Sequence, residues 1–242
     1  MRIFGTIIGG ALLSTVLVFL LAANGLMPIN DRQMQSYLMQ HPDLVMAMAN
    51  RAQELDDAKD LARQQNAINK AGPALFDAKY AFVTGPANAK KTVVEFFDYD
   101  CPYCRASLPA LHKYYQAHKA DTRFAFIELP IASLHGPGAV AAALASLAAR
   151  RQSAHWMDFH FLMMGEEGAI TPDMIFADAT KAGLDVNRLK ADMKDPALQK
   201  MLEDSLAFAK TLGVAATPTF VLNGSLHSGA VDDQTLADAL KG

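Results

Sequence analysis

The chain has 242 residues, of which 51% are hydrophobic, so it can bury one sizeable core and carry an appended segment. Its formal net charge is −3 at pH 7, and no basic stripe runs through the sequence. This charge pattern argues against a nucleic acid as a partner.

An uncharged run follows Arg2: no Asp, Glu, Lys or Arg occurs between Ile3 and Asn30. Its apolar part, residues 3–23, is long enough to cross a bilayer, which takes about 20 residues. Residues 1–29 are therefore predicted to be a cleaved signal peptide or an uncleaved transmembrane anchor, and the length favours the anchor. Both interpretations predict that Arg2 stays in the cytoplasm and that the residues after about 30 lie in the oxidising periplasm.

Residues 30–72 are predicted to form a helical extension, in which Pro42 begins a second helix. A narrow apolar stripe, which includes Met34, Leu38, Val45 and Met48, runs along the first part of this extension. Such a stripe needs another surface to cover it. The extension could pack on its own domain, pair with copies of the chain through residues 30–71, or act as a stalk.

Residues 73–242 are predicted to form one α/β domain. Two parallel strands enclose a helix in a β-α-β unit, and an Asn-Gly hairpin follows much later in the chain. About seventy residues of helix, roughly 137–211, separate the two halves and form an inserted subdomain. The predicted strands are Ala81–Thr84, Thr92–Phe97, Phe124–Glu128, Thr219–Leu222 and Leu226–Ser228.

The only two cysteines are Cys101 and Cys104, in a Cys-Pro-Tyr-Cys sequence between a predicted strand and a predicted helix. A helix N-terminus presents free N–H groups and a partial positive charge, which favour a thiolate. The pKa of Cys101 should therefore fall well below the free value of about 8.5. Cys104, one turn further on, can reach back to close a disulfide, and Pro102 suits the first helical position.

A Cys-x-x-Cys pair can also form half of a zinc site. The chain has no second cysteine pair, and the candidate histidines, His112 and His118, lie six residues apart on one predicted helix. At 3.6 residues per turn they point about 120° away from each other, so they cannot both converge on one metal. The spacing therefore favours a redox dithiol without a metal.

Three further side chains have two interpretations each. Glu95 interrupts an apolar strand, and burying it ionised costs several kcal/mol unless it is paired. It either lies near an exposed strand end or lies beneath the cysteines, where it accepts or relays the proton of Cys104. His155 and His160 are expected to pack beside Trp156, the alternative being a role in tuning the thiolate or lining a substrate groove.

Three stretches, 94–104, 155–160 and 212–224, together resemble the DsbA-like branch of the thioredoxin superfamily, over roughly residues 81–242. The resemblance implies a thioredoxin fold with an inserted helical subdomain. It also implies that Cys101 is the exposed nucleophile, and that buried Cys104 resolves the mixed disulfide and pairs with Cys101. Glu95 matches the family's acidic residue beneath the active site.

The same resemblance implies a cis bond between Thr217 and Pro218, lying against the cysteines, with the Thr217 backbone pairing with an extended substrate. Pro102, Tyr103, Thr217 and Pro218 are the predicted substrate-binding residues. The strongest oxidases of the family carry a histidine where this chain has Tyr103, so its disulfide should be less oxidising than the extreme of about −120 mV. Thr217 and the N-terminal extension resemble oligomeric members that isomerise or reduce wrong disulfides.

The sequence thus predicts a periplasmic thiol:disulfide oxidoreductase, either oxidase or isomerase, that needs no cofactor. Its predicted partners are unfolded or misoxidised extracytoplasmic proteins and a membrane redox protein. One alternative is a non-catalytic, membrane-tethered chaperone or a protein that binds a soft metal such as Cu(I) on the same fold. Another is an enzyme that uses glutathione.

Overall fold

The computed structural model describes residues 31–241, so the predicted signal or anchor at residues 1–29 lies outside the described residues. Two compact units are distinguished, one ending at Ala58 and the other beginning at Lys59. Within the described part of the chain, no helix is both long enough and apolar enough to cross a membrane.

Two helices form the N-terminal extension: α1 (Asp31–Gln40) and α2 (Pro42–Ala71). The second begins at Pro42, because proline is tolerated in the first turn of a helix, where its missing N–H has no partner to lose. No residue of α1 is buried. Apolar side chains of the first unit are exposed along both helices, namely Met34, Tyr37, Met39, Leu44, Val45, Met46, Met48 and Leu55.

The last turns of α2 belong to the second unit, which begins at Lys59 rather than at the predicted residue 73. Gln64 donates to the carbonyl of Gly213 (3.0 Å), and Gln65 donates to that of Gly224 (2.7 Å). Ile68 is buried in a hydrophobic cluster. These contacts attach the end of the helix to the α/β domain, and a 3₁₀ turn (Gly72–Phe76) follows it.

The second unit contains a five-stranded sheet in the order β1-β3-β2-β4-β5. Strands β2 and β3 are parallel and joined by helix α3 (Pro102–His118), as the sequence predicts, whereas every other pair is antiparallel. The strands are β1 (Phe82–Thr84), β2 (Lys91–Phe97), β3 (Thr122–Glu128), β4 (Thr219–Leu222) and β5 (Ser225–Ser228).

The helical insertion lies between β3 and β4, and helix α10 (Asp233–Ala239) closes the domain. Three helices of the insertion begin at polar caps, whose side chains each accept a backbone N–H of the helix. These caps are Thr171, Asp185 and Asp195. The inserted helices are α4 (Ala132–His135), α5 (Pro137–Ala149), α6 (Trp156–Met164), α7 (Pro172–Lys181), α8 (Val186–Asp192) and α9 (Pro196–Thr211).

The sheet separates two hydrophobic clusters. Val94 and Phe96 of β2 face one cluster, while Val93 and Phe97 face the other, since side chains alternate along a strand. The second of these clusters contains both cysteines and the buried side chains of the helical insertion. This alternation places Glu95 on the face of the sheet that carries the cysteines.

Candidate active site

Cys101 is the residue immediately before helix α3. Its N–H donates to the carbonyl of Asp98 (3.1 Å), which closes the turn between β2 and the helix. The carbonyl of Cys101 accepts the N–H groups of Cys104 (3.1 Å) and Arg105 (3.2 Å), so helical hydrogen bonding begins at the cysteine itself. The local strand–turn–helix geometry is therefore the one that the sequence predicts.

The two sulfur atoms have opposite acidities. The pKa of Cys101 is lowered to about 5, chiefly by a hydrogen bond from the Cys104 side chain, with help from Thr217 and from backbone N–H groups of the first helical turn, and against the effect of burial. The pKa of Cys104 is raised well above its ordinary value, first by burial and then by its hydrogen bond to Cys101. One sulfur is thus a thiolate while its neighbour keeps a proton.

The predicted exposure of Cys101 is wrong for this conformation, since the residue is only 2% exposed. The loop before β4 covers it: the sulfur lies 3.1 Å from the carbonyl oxygen of Thr217. The peptide bond between Thr217 and Pro218 is cis. In its thiol form, Cys101 donates its proton to this backbone carbonyl.

Glu95 is 1% exposed, so the interpretation that it lies near an exposed strand end is wrong. Neither carboxylate oxygen has a hydrogen-bond partner among the described residues. Burial and, secondarily, the charge of Cys101 raise its pKa to about 8. Its own charge contributes to the raised pKa of Cys104, which places the carboxyl group within electrostatic reach of both sulfurs.

The predicted substrate-binding residues differ in their accessibility. Pro102 and Tyr103 are exposed in the first turn of α3, with Tyr103 at 65%. Thr217 is half-buried, and Pro218 is buried. The structure therefore brings the Thr217 backbone to Cys101 and leaves the Tyr103 ring free at the rim of the dithiol.

The prediction that His155 and His160 pack beside Trp156 is confirmed for His160. This residue is 1% exposed and stacks on Trp156, with 4.8 Å between the ring centroids. Burial lowers its pKa to about 3, and its Nδ1 lies 3.1 Å from the hydroxyl of Tyr99. His155 instead contacts the carbonyl of Ala182 through Nδ1 at 2.9 Å. These contacts lie in the helical insertion and its junction with the sheet.

The candidate metal ligands on α3 have other neighbours. His112 lies 3.2 Å from the amide of Gln116, and His118 lies 3.3 Å from Asp121. Within residues 31–241 there is no group of three or more His, Cys, Asp or Glu side chains that could hold a metal ion. Neither histidine is brought to the cysteines.

Sequence reasoning missed two acidic residues of the active-site turn, Asp98 and Asp100. The carboxylate of Asp98 accepts hydrogen bonds from Ile131 and His135, and that of Asp100 accepts from the N–H of Ile170 (2.7 Å). Their position directly before a cysteine pair was the available signal. Their partners lie far along the chain, so the contacts themselves could not be predicted.

A family model described as Thioredoxin matches residues 77–242. Among solved structures, a thioredoxin-like oxidoreductase from Silicibacter pomeroyi is 36% identical with a TM-score of 0.60, over 68% of this chain and 92% of its own. The thiol-disulfide exchange protein α-DsbA2 of Wolbachia pipientis is 25% identical with a TM-score of 0.66, over 76% of this chain and 96% of its own.

The curated relatives are larger proteins. A Na⁺/H⁺ antiporter, NhaA 1, of Salinispora arenicola is 32% identical over 158 residues, which are 65% of this chain and 24% of the antiporter. The chain thus spans about a quarter of the length of the first curated relative that it matches. The likeness is between this chain and one part of that protein.

Proposed function

Since this chain belongs to the DsbA-like thioredoxin family, we propose that it is a thiol:disulfide oxidoreductase that exchanges disulfides with extracytoplasmic proteins through Cys101 and Cys104. One observation carries the proposal: Cys101 and Cys104 lie one turn apart at the start of α3, the Cys101 sulfur lies 3.1 Å from the Thr217 carbonyl, and the pKa values of the two thiols are moved in opposite directions. A thiolate beside a protonated thiol is the state in which a dithiol can attack and then resolve.

In the reductive direction, the Cys101 thiolate attacks one sulfur of a substrate disulfide. An S–S bond forms to the substrate, and the other substrate sulfur leaves as a thiolate. Cys104 then loses its proton and attacks the sulfur of Cys101, so that the second substrate sulfur leaves. The substrate gains two electrons, and the protein holds the oxidising equivalent as a Cys101–Cys104 disulfide.

The oxidative direction reverses these steps and leaves the dithiol reduced. Turnover in that direction needs an electron acceptor, for which we propose a membrane redox protein. Isomerisation needs no net electron transfer, because another thiolate of the same substrate attacks the mixed disulfide, forms a new substrate disulfide and releases Cys101 as a thiolate. No cofactor enters any of these schemes, since the two sulfurs carry the electrons.

Glu95 is the proposed acceptor of the Cys104 proton. It lies on the face of the sheet that carries the cysteines, it has no hydrogen-bond partner among the described residues, and its pKa is raised to about 8. A carboxyl group with such a pKa can take up and release a proton near neutral pH. The negative charge of Cys101 contributes to this rise, so oxidation of Cys101 would make Glu95 more acidic and allow the proton to leave.

An extended segment of an unfolded protein is the proposed substrate. The Thr217 backbone lies against Cys101, where it can pair with a substrate strand, and Tyr103 and Pro102 present exposed apolar surface beside it. Location outside the cytoplasm is proposed because a disulfide-exchanging pair suits an oxidising compartment. The predicted N-terminal signal or anchor leads to the same location.

Paired serine variants test the exchange chemistry. The Cys104→Ser variant should accumulate a mixed disulfide with a scrambled protein substrate, and the Cys101→Ser variant should neither trap substrate nor promote refolding. Full refolding activity in Cys101→Ser would overturn the proposal in favour of the chaperone or soft-metal alternative. Catalysis with glutathione that survives in Cys104→Ser would favour the glutathione-using enzyme. The equilibrium constant with glutathione then gives the reduction potential of the Cys101–Cys104 pair. A potential near the oxidising end indicates an oxidase, and a lower one indicates an isomerase.

Self-association through residues 30–71 is also proposed. It is supported by the apolar side chains that α1 and the first part of α2 leave exposed, among them Val45 and Met48. In sedimentation experiments on the whole chain, Val45→Glu and Met48→Glu should reduce the mass of the particle. The control is Asn50→Glu, at a polar exposed position of the same helix. Equal masses for all four proteins would contradict the proposal.

A further inference from the structure

The carboxylate of Asp98, three residues before Cys101, is fully buried. It accepts a hydrogen bond from the N–H of Asp100 (3.0 Å) and one from the N–H of Ile131 (2.8 Å). A third comes from Nδ1 of His135 at 2.6 Å. A buried carboxylate is stable only when its oxygens are satisfied in this way, so these donors fix its position.

The backbone of the same residue contacts the dithiol. The carbonyl of Asp98 accepts the N–H of Cys101 at 3.1 Å. A backbone hydrogen bond from Asp98 to Cys104 partly offsets the burial that raises the pKa of that thiol. Any rearrangement of the Asp98 side chain therefore moves a residue whose backbone contacts both cysteines.

His135 is the part of this arrangement that can be changed without touching the active-site turn. It lies at the end of α4, 37 residues from Asp98, and its side chain is 12% exposed. The N–H groups of His135 and Gly136 are bonded within α4, to Ile131 (2.8 Å) and Ala132 (2.9 Å). These hydrogen bonds fix the backbone of α4, and the fixed backbone holds the imidazole beside Asp98.

The other charged groups of the turn have different partners. Asp100 pairs with Arg105 at 3.2 Å and also accepts the N–H of Ile170. Glu95 lies beneath the cysteines. Within residues 31–241, His135 is the only ionisable side chain that forms a hydrogen bond with the Asp98 carboxylate.

We propose that His135 is a positioning residue for the dithiol: acting through Asp98, it fixes the turn that places Cys101 at the start of α3. The inference rests on the proposed function for its meaning, since a well-placed thiolate matters only if Cys101 reacts. Without the imidazole donor, the buried carboxylate loses one of its three hydrogen bonds. The turn then loosens, and the backbone donors that stabilise the thiolate are less well aligned.

Two variants of His135 separate positioning from packing. In His135→Asn the side-chain amide can replace Nδ1 as a donor, whereas in His135→Gln the amide is carried one carbon further. The thiolate absorbance of the reduced protein, followed against pH, reports the pKa of Cys101. We expect His135→Gln to raise that pKa by about one unit, which is a tenfold change in its acid constant, and His135→Asn to keep it near the wild-type value.

The matched control is His118→Gln, because His118 also contacts an aspartate, Asp121, at 3.3 Å, but lies at the far end of α3. It should leave the titration of Cys101 unchanged. If His135→Gln does not fold, His135→Ala supplies the measurement, and it should also raise the pKa of Cys101. A folded His135→Gln or His135→Ala with a wild-type titration would overturn the proposal, as would a shift of equal size in His135→Asn.

This titration needs no substrate, so its outcome is independent of the proposed function. Exchange of the wild-type protein with a small disulfide tests that function separately. An inert wild-type dithiol together with a shifted titration in His135→Gln would refute the function and keep the positioning role.

Discussion

The sulfur of Cys101 lies 3.1 Å from the carbonyl oxygen of Thr217, although 116 residues separate them in the chain. The proposed nucleophile and the backbone proposed to hold the substrate are therefore adjacent before any substrate binds. The same contact explains why Cys101 is only 2% exposed. In the proposed mechanism a reacting disulfide lies along this loop, so that the approach of the substrate and its backbone pairing are coupled.

The acidity of Cys101 should be visible in its reactivity. With a pKa of about 5, its alkylation rate should be nearly constant above about pH 6 and should fall as the pH drops below about 5. Because its folded-state pKa lies below the unfolded value, the Cys101 thiolate should add stability as the pH rises from about 5 towards 9. Buried Glu95 acts in the opposite direction, so the contribution of Cys101 is the difference in stability between the reduced protein and its Cys101→Ser variant. Alkylation kinetics and urea unfolding at several pH values measure both effects, and a kinetic midpoint near 8.5 would contradict them.

Replacing Glu95 by Gln should separate stability from turnover. Its folded-state pKa of about 8 lies above the unfolded value of 4.5, so the ionised carboxylate makes the fold less stable as the pH rises between these values. The variant should therefore be more stable than the wild type at pH 7 and above, and it should lack the loss of stability that ionisation of Glu95 causes between about pH 4.5 and 8. Its resolving step should be slower, because Cys104 loses the proposed proton acceptor.

Single-turnover release of a peptide from the mixed disulfide measures that step. A Glu95→Gln variant that resolves the mixed disulfide at the wild-type rate across the pH range would remove Glu95 from the mechanism. The stability measurement would remain as a test of its burial.

A histidine at position 103 should make the disulfide more oxidising. A cationic ring in the first turn of α3 would stabilise the Cys101 thiolate further and so favour the reduced form. The Tyr103→His variant should raise the reduction potential by about 30 mV for each tenfold change in the exchange constant. Equilibration with glutathione measures it. An unchanged potential would mean that the exposed side chain, at 65%, is too well solvated to act on the thiolate.

The ion pair between Glu128 and Arg150 should be important for stability. Both side chains are nearly buried, and Arg150 also donates to the carbonyls of Tyr80 and Phe126, each at 3.3 Å. Arg150→Ala leaves the Glu128 carboxylate buried without its cation and should cost about 3–5 kcal/mol of unfolding free energy.

The neighbouring Arg151 provides the control, since it pairs with Asp192 and Asp195 at the surface. Arg151→Ala should cost about 1 kcal/mol or less. Urea unfolding at pH 7 measures the stability of both variants. Equal losses of unfolding free energy would show that burial does not determine how much the Glu128–Arg150 pair stabilises the fold.

The local features of the site could be predicted from the sequence alone. The spacing of Cys101 and Cys104 places both sulfurs in one helical turn, because 3.6 residues complete a turn whatever surrounds it. Pro102 at the helix start, the β-α-β unit and the Asn223-Gly224 hairpin follow from equally short-range rules. The family resemblance added the cis bond before Pro218, which no local rule indicates.

Contacts between distant segments were decided only by the tertiary structure. The burial of Glu95, the cover that Thr217 gives Cys101, and the bond between Asp98 and His135 each depend on how the sheet pairs and how the insertion packs. A sequence specifies which side chains can make such contacts. Which side chains actually meet depends on strand register and on packing over the whole domain. Local periodicity carries no information about either.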